Sequence, residues 1–213
     1  MKKYPCPSCG AEVTFQSSIT IFTVCAYCRS TLVRKDLNLE TLGKMAEIQD
    51  DSTPFQVGTT GRFKGEFVLL GRVRVSWQEG FWDEWYARYG DGSEAWLSEA
   101  QGFYMISFPF EKPDHLPAAN EAKPEMTVQI GKTAYQIDDI KQITYSFADG
   151  ELPFVAAQGF KGISVDLTHG ENDFASIRYG KDGGPKDEVE VYVGQYLDFQ
   201  EFHFQNLRQM DGW

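Results

Sequence analysis

The chain of 213 residues has 42% hydrophobic and 15% aromatic residues, enough for a sizeable core in one or two domains. Its net charge of -11 is unevenly spread, since residues 1–35 hold five basic and one acidic side chain and residues 36–213 hold 15 basic and 30 acidic ones. A body this acidic disfavours nucleic acid and anionic lipid as partners.

The amino-terminal stretch MKKYPCPSCG has no apolar signal region, and no run of 18 apolar residues occurs anywhere in the chain. We therefore expect a cytoplasmic protein without a membrane-spanning helix.

The strongest motif is a pair of C-x2-C knuckles separated by fifteen residues, formed by Cys6, Cys9, Cys25 and Cys28. This spacing predicts a zinc ribbon over residues 1–35, in which one hairpin (Glu12–Phe15 out, Ile19–Val24 back) brings the knuckles together. A site closed by four thiolates cannot activate water, so the predicted zinc is structural. Disulfides, a redox C-x-x-C and an iron site are the alternatives, and an iron site is disfavoured because Arg29 rather than glycine follows Cys28.

Residues 36–53 follow as a connector. Leu39, Leu42, Met45 and Ile48 recur at helical spacing and predict a short helix over residues 39–49. A loose linker is the alternative.

A first antiparallel β unit is predicted over residues 54–111. In the stretch from Val73 to Trp77, residues 73, 75 and 77 share one face and residues 72, 74 and 76 the other. A longer turn is expected over 78–83, a hairpin turn at Gly90–Gly92 and another at Gln101–Gly102. We expect Trp77, Trp85 and Trp96 to lie in the core.

A proline-rich linker or crossover (112–125) separates this unit from a second β unit (126–213). Segments 129–133, 143–147 and 177–182 resemble 56–60, 73–77 and 87–91 in the same order. This internal similarity predicts two related antiparallel units of small barrel or sandwich type. One larger sheet that shares every strand is the alternative.

Several motifs have distinctive sequences: CPSCG, LGKMAEIQDDSTPFQVGTTG, GRVRVSW, WDEWYARYGDGSEAWLSEAQG and GELPF. On these motifs, residues 6–204 resemble a bacterial family of uncharacterised proteins, domain-of-unknown-function family 4178, with an amino-terminal zinc ribbon. The resemblance implies no catalytic residues and points to a stress or envelope-associated assembly.

Few residues indicate catalysis. Tryptophans beside carboxylates suggest a hydrolase-like site using Glu84 with Glu99, or Asp83, but these acids are more simply explained as solvated turn and edge residues. Glu151 is interpreted as a turn acid. The nucleic-acid alternative has only the five basic residues of the head.

The sequence therefore favours a non-enzymatic protein-interaction or adaptor protein with an unknown protein partner. The predicted contact surface is the loop of Phe81, Trp82, Asp83 and Glu84, because aromatic side chains in a turn often stay exposed.

Overall fold

The computed structural model describes residues 1–35, 38–48, 51–111, 113, 115–156, 159–180 and 189–209, and its described part is mainly antiparallel β with no α-helix. The prediction of a mainly β protein is thus confirmed. The strands are β1 (Lys2–Pro5), β2 (Glu12–Phe15), β3 (Phe22–Val24), β4 (Ser30–Lys35), β5 (Asn38–Lys44), β6 (Thr60–Arg62), β7 (Glu66–Trp77), β8 (Gly80–Tyr89), β9 (Glu94–Ala100), β10 (Phe103–Phe110), β11 (Thr127–Ile130), β12 (Thr133–Leu152), β13 (Lys161–His169), β14 (Asp173–Tyr179) and β15 (Glu190–Leu197).

Eight of these strands form a closed sheet. The order is β7-β8-β9-β10-β15-β14-β13-β12, and β12 pairs back with β7 to close it. Every pairing around this ring is antiparallel. Closure removes the open edges that would otherwise template aggregation.

Strand β7 follows the predicted alternation. Val73 and Val75 are fully buried on the inner side, while Arg72 and Arg74 reach Asp83 on the other. The predicted long turn over 78–83 is wrong, because β8 already begins at Gly80 and only Gln78 and Glu79 connect it to β7.

The other two turns are confirmed at the predicted positions. Gly92 has a φ of +93°, and Gln101 and Gly102 have φ values of +51° and +88°. Two successive residues in the left-handed region are what a two-residue hairpin of type I′ requires.

Both outer faces of the closed sheet are covered. On the first half, Phe55 and the segment after β15, including a 3-10 turn at Phe199–Phe202, pack over Trp85 and Leu97. On the second half, β11 and the segment around Leu116 cover Val165 and Ile177. Because both outer faces are covered, the interior of the ring is the remaining space in which a ligand or part of a partner can bind.

The head is arranged differently from the predicted hairpin. β2 pairs with β1 rather than with β3, and β3 instead pairs with β4 and with the end of β12. Phe22 and Val24 of β3 therefore join the same buried cluster as Trp82 and Trp96. The head extends the sheet of the body and packs against one end of it.

The predicted connector helix is wrong where the structure describes it, since residues 38–44 form β5, which pairs with β4. β4 would otherwise present an open edge, and a strand that follows it after two residues can pair there locally. Residue 49 of the predicted helix lies outside the described residues. Met45 is buried against the body, whereas Leu39 packs against the separate cluster of the head. The apolar residues at helical spacing therefore contact two different clusters and do not form one helix face.

The strand order runs twice through the same series. A short strand and then a four-stranded meander is formed by β6 to β10 and again by β11 to β15. Segments 73–77 and 143–147 fall on the first meander strand of each series, whereas 87–91 and 177–182 begin on β8 and β14, which are the second and third strands of their meanders. A common origin of the two units, like the domain boundaries, stays a prediction.

Among the described residues, no helix is long and apolar enough to cross a membrane.

Candidate metal centre and binding cavity

The four cysteines of the two knuckles come together. All four sulfur atoms lie within 4.8 Å of one another, with 3.7 Å between Sγ of Cys6 and Cys28 and 3.8 Å between Sγ of Cys9 and Cys25. These distances are too long for disulfide bonds. Ligands at about 2.3 Å in a tetrahedron lie about 3.8 Å apart, so the sulfurs fit a metal ion of the size of zinc or iron.

The backbone of the two knuckles is nearly identical. The amides of Gly10 and Arg29 each donate to the carbonyl of the first cysteine of their knuckle, at 2.9 Å. Both residues have positive φ, +76° for Gly10 and +59° for Arg29. Arg29 thus adopts the conformation that glycine favours, at an energetic cost for a residue with a Cβ.

The contacts of the Arg29 side chain explain why arginine rather than glycine occupies this position. Its Nη1 donates to Asp149 at 2.9 Å, and its guanidinium lies 5.6 Å from the ring of Phe147. Both partners belong to β12, so the second knuckle is tied directly to the closed sheet.

Glu151 links the head to the body through a second set of contacts. Its buried carboxylate accepts hydrogen bonds from the amides of Gln16 and Ser17 at 2.7 and 3.2 Å and from the hydroxyl of Thr20 at 2.8 Å. The interpretation of Glu151 as a turn acid is therefore wrong: it lies in β12 and holds the 16–20 loop of the head.

A cavity of about 790 Å3 opens at the end of the closed sheet formed by the turns near Trp77, Gly102 and Glu171. Side chains from all eight strands of the ring face into it, which places it inside the sheet. Its lining includes Trp77, Trp82, Glu84, Ser98, Met105, Lys141, Asp166, Thr168, Phe174, Arg178 and Tyr196. A volume of this size is typical of sites that enclose a ligand or several side chains of a partner.

The floor of the cavity carries a buried ion pair between Glu84 and Arg178. The indole Nε1 of Trp82 donates to the same carboxylate at 2.7 Å, and Arg178 lies 5.4 Å from the Trp82 ring. Burial acts to lower the pKa of Arg178, but the attraction of Glu84 outweighs it and the pKa is raised. Arg178 therefore carries its positive charge across the physiological range.

A second pair lies on the wall. Nζ of Lys141 is 3.2 Å from Asp166 and 2.6 Å from Asp139, and it lies 5.7 Å from the Trp77 ring. Burial opposes the charged form of Lys141, but its hydrogen bond to Asp139 and the charge of Asp166 raise its pKa. The rings of Trp77 and Trp82 lie 5.3 Å apart and form the aromatic part of the wall.

The four residues of the predicted contact loop divide between two faces of β8. Phe81 is 49% exposed on the outside, whereas Trp82, Asp83 and Glu84 are 8%, 3% and 8% exposed. The expectation that Trp82 is exposed is wrong, because it lies in a strand and faces the interior. Trp82 and Glu84 nevertheless line the cavity.

The acids proposed for catalysis are not brought together as a Glu84–Glu99 pair. Glu84 faces the cavity and is opposite Ser98, while Glu99 is opposite Asp83 on the outer side. The description of Asp83 and Glu84 as solvated acids is also wrong, since both are buried in ion pairs.

Glu99 accepts a hydrogen bond from Nε1 of Trp85 at 3.1 Å, and burial raises its pKa to about 7. Between about pH 4.5, its ordinary value, and pH 7, the folded protein thus binds more protons at Glu99 than the unfolded chain does. Ionisation of Glu99 therefore lowers the free energy of unfolding as pH rises from about 4.5 to 7.

Replacing Glu99 with glutamine should remove this penalty. We expect the variant to gain on the parent protein by up to about 3 kcal/mol at pH 8 and much less at pH 5, at about 1.4 kcal/mol per pKa unit. Urea unfolding at both pH values measures the difference, with Glu94→Gln on the same strand as the control. Equal gains at pH 5 and pH 8 would contradict the assignment.

Sequence reasoning missed the second half of the cavity. Lys141, Asp166 and Arg178 belong to the second unit, and Arg178 is 94 residues from Glu84. The available signal was an arginine at an inward position of a strand whose neighbours, Ile177 and Tyr179, are apolar.

The family described as Domain of unknown function (DUF4178) matches residues 56–199, which includes the whole closed sheet and leaves the four cysteines outside the match. No curated protein and no solved structure matches the chain. Since the match covers more than half of its length, the chain belongs to the DUF4178 family of unknown function.

Proposed function

We propose that this chain is a non-enzymatic protein-interaction protein that binds part of a partner in the cavity of its closed sheet. The cavity itself carries the proposal, because an open volume of about 790 Å3 with tryptophan walls is unusual inside a sheet that could have been filled by side chains. Phe103, 66% exposed, stands at its mouth as an apolar contact residue.

This assignment moves the predicted contact site from the surface of the loop to the interior. Trp82 and Glu84 keep a role as wall residues, and Phe81 and Asp83 lie outside. A hydrolase-like reaction draws less support, because the cavity holds Glu84 as a carboxylate already neutralised by Arg178. The carboxylate of Glu84 is already engaged by the guanidinium of Arg178 and the indole of Trp82, whereas a general acid or base must contact the reacting group of a substrate.

We further propose that the head binds one zinc ion in a structural role and that the protein is cytoplasmic. Support comes from the sulfur spacing, which suits a closed tetrahedral site, and from four cysteines free of disulfides. Thiols persist in reducing compartments. A place in a stress or envelope-associated assembly remains part of this proposal.

Photocrosslinking in the native cells tests the cavity. A benzoylphenylalanine placed at position 103 should form an adduct with a specific partner, and the adduct should disappear when Thr168→Trp fills the cavity. Benzoylphenylalanine at the exposed Phe160, which does not line the cavity, is the control. Adducts that persist with a folded Thr168→Trp variant, or with Met105→Trp if the first fails to fold, would reject the proposal.

A further inference from the structure

The charged residues that line the cavity are unevenly balanced. Among the residues that the structure describes, five carboxylates and two cations face it, a net charge of -3: Glu84, Asp166, Glu171, Asp198 and Glu201 against Lys141 and Arg178. The two inner carboxylates are each paired with one of the cations. The excess negative charge therefore resides at the mouth, on Glu171, Asp198 and Glu201.

These three mouth acids are exposed and come from two separate segments. Glu171 lies in the turn between β13 and β14, Asp198 directly precedes the 3-10 turn after β15, and Glu201 lies within that turn. Glu201 is held in place because its carboxylate accepts the amide of Asp198 at 2.7 Å. A ligand that meets all three must extend across the mouth rather than bind at one point.

The wall behind the acids is aromatic. Trp77 and Trp82 pack on each other, and Phe174 packs edge-on against Tyr196 at 5.5 Å between ring centres. Such rings bind apolar and aromatic side chains and also accept cationic groups on their faces. An apolar wall behind an acidic rim complements a chain with positive charges beside an apolar residue.

From these features, and resting on the proposed function, we infer that the cavity binds a basic peptide segment of the partner protein. An apolar side chain of that segment packs against Trp77 and Trp82, and its lysine or arginine side chains pair with Glu171, Asp198 and Glu201. An acidic segment, a nucleic acid or an anionic membrane would be repelled by the same rim.

Pools of synthetic peptides with blocked ends provide the test. One pool has lysine and arginine at three positions around fixed leucine and phenylalanine, a second has glutamine at those positions, and a third has glutamate. Binding of labelled pools is measured by fluorescence anisotropy at low and high salt. The basic pool should bind about tenfold more tightly than the glutamine pool, as three weak exposed ion pairs together would give, and should weaken with salt.

Two triple variants separate the mouth from general charge. Glu171→Gln, Asp198→Asn and Glu201→Gln together should remove the preference for the basic pool. The control replaces Glu47, Glu66 and Glu111 with glutamine, three exposed acids that do not line the cavity, and should keep the preference.

Three results overturn the inference: equal binding of all pools, an unchanged preference in the mouth variant, or no binding of any pool. Equal binding that Thr168→Trp abolishes would leave the cavity as the interaction site and reject only the basic ligand. If position 103 also gives no crosslink that depends on an open cavity, the proposed function fails as well.

Discussion

Replacement of Cys25 by serine should release the metal ion that we propose for the four-cysteine site and unfold residues 1–35. Apart from Phe22, Val24 and Val33, which pack with the body, the head has only a small cluster of buried residues around Phe15 and Leu32. A segment of about 35 residues cannot bury enough surface to fold alone. Metal binding contributes roughly 10–16 kcal/mol in small zinc modules, so its loss exceeds what the contacts with the body can offset. Elemental analysis should fall from one metal ion per chain to none, and amides of β3 and β4 should lose their protection from hydrogen exchange.

The matched control is Ser8→Ala in the first knuckle, whose hydroxyl contacts only Thr41 among the described residues and whose loss should leave the metal bound. Retention of one metal ion with a protected head in Cys25→Ser would show that Cys25 is not a required ligand. The parent protein distinguishes zinc from iron, since an oxidised iron site with four sulfur ligands absorbs visible light and a zinc site does not.

Unfolding of the head should also reach the body. β3 is hydrogen-bonded to the end of β12, and Glu151 would lose all three of its donors while its carboxylate stays near the sheet. A buried carboxylate without donors is destabilising by several kcal/mol unless water reaches it. We therefore expect a lower melting temperature for the closed sheet as well as for the head.

The features that the sequence predicts correctly are those with a local signal. The knuckle spacing places four sulfurs together, and alternation along β7 separates Val73 from Arg72, because both patterns span only a few residues. The hairpins at Gly92 and Gly102 follow from backbone conformations that glycine favours.

The features that escape prediction depend on pairings between distant parts of the chain. Closure of the sheet needs β12 beside β7 and β15 beside β10, and nothing in either strand alone specifies its neighbour. The cavity exists only after closure, so Arg178 and Glu84 could not be recognised as partners. The connector fails for the same reason: the edge of β4, a tertiary feature, decides that residues 38–44 extend rather than coil.

Replacement of Arg72 by methionine should be among the most destabilising single changes in the body. Arg72 is 2% exposed, and its guanidinium contacts Asp51 at 2.6 and 2.9 Å and Asp83 at 2.6 Å. Removing one partner of a buried ion pair typically costs about 3–5 kcal/mol. Here the remaining carboxylates lose part of their compensation, since Asp83 keeps Arg74 and Asp51 keeps Arg74 and Arg208. Urea unfolding at neutral pH should show a loss of this size.

Arg88→Met is the control for the loss of an arginine as such. Its only ion pair in the described structure is with Glu94 at 3.7 Å, beside the hairpin turn between β8 and β9, where both side chains are partly exposed and such a pair contributes about 0–1 kcal/mol. A comparable loss for the two variants would mean that the Arg72 network is no more important than a surface contact.

The acid limb of the stability curve provides a second signature of the Arg72 network. Burial opposes ionisation of Asp51, but Arg72 and Arg208 outweigh it and lower its pKa to about 2. The stability that this shift supplies is complete above the ordinary value of 3.8 and disappears as pH falls toward 2. In Arg72→Met the pKa of Asp51 should rise, so the variant should lose less stability than the parent between pH 4 and pH 2.

Adding Asp83→Asn to Arg72→Met should restore part of the stability at neutral pH, because it removes the carboxylate that is undercompensated once Arg72 is lost. A double variant no more stable than Arg72→Met would show instead that the lost packing of Arg72 against Trp85 and Phe147 dominates.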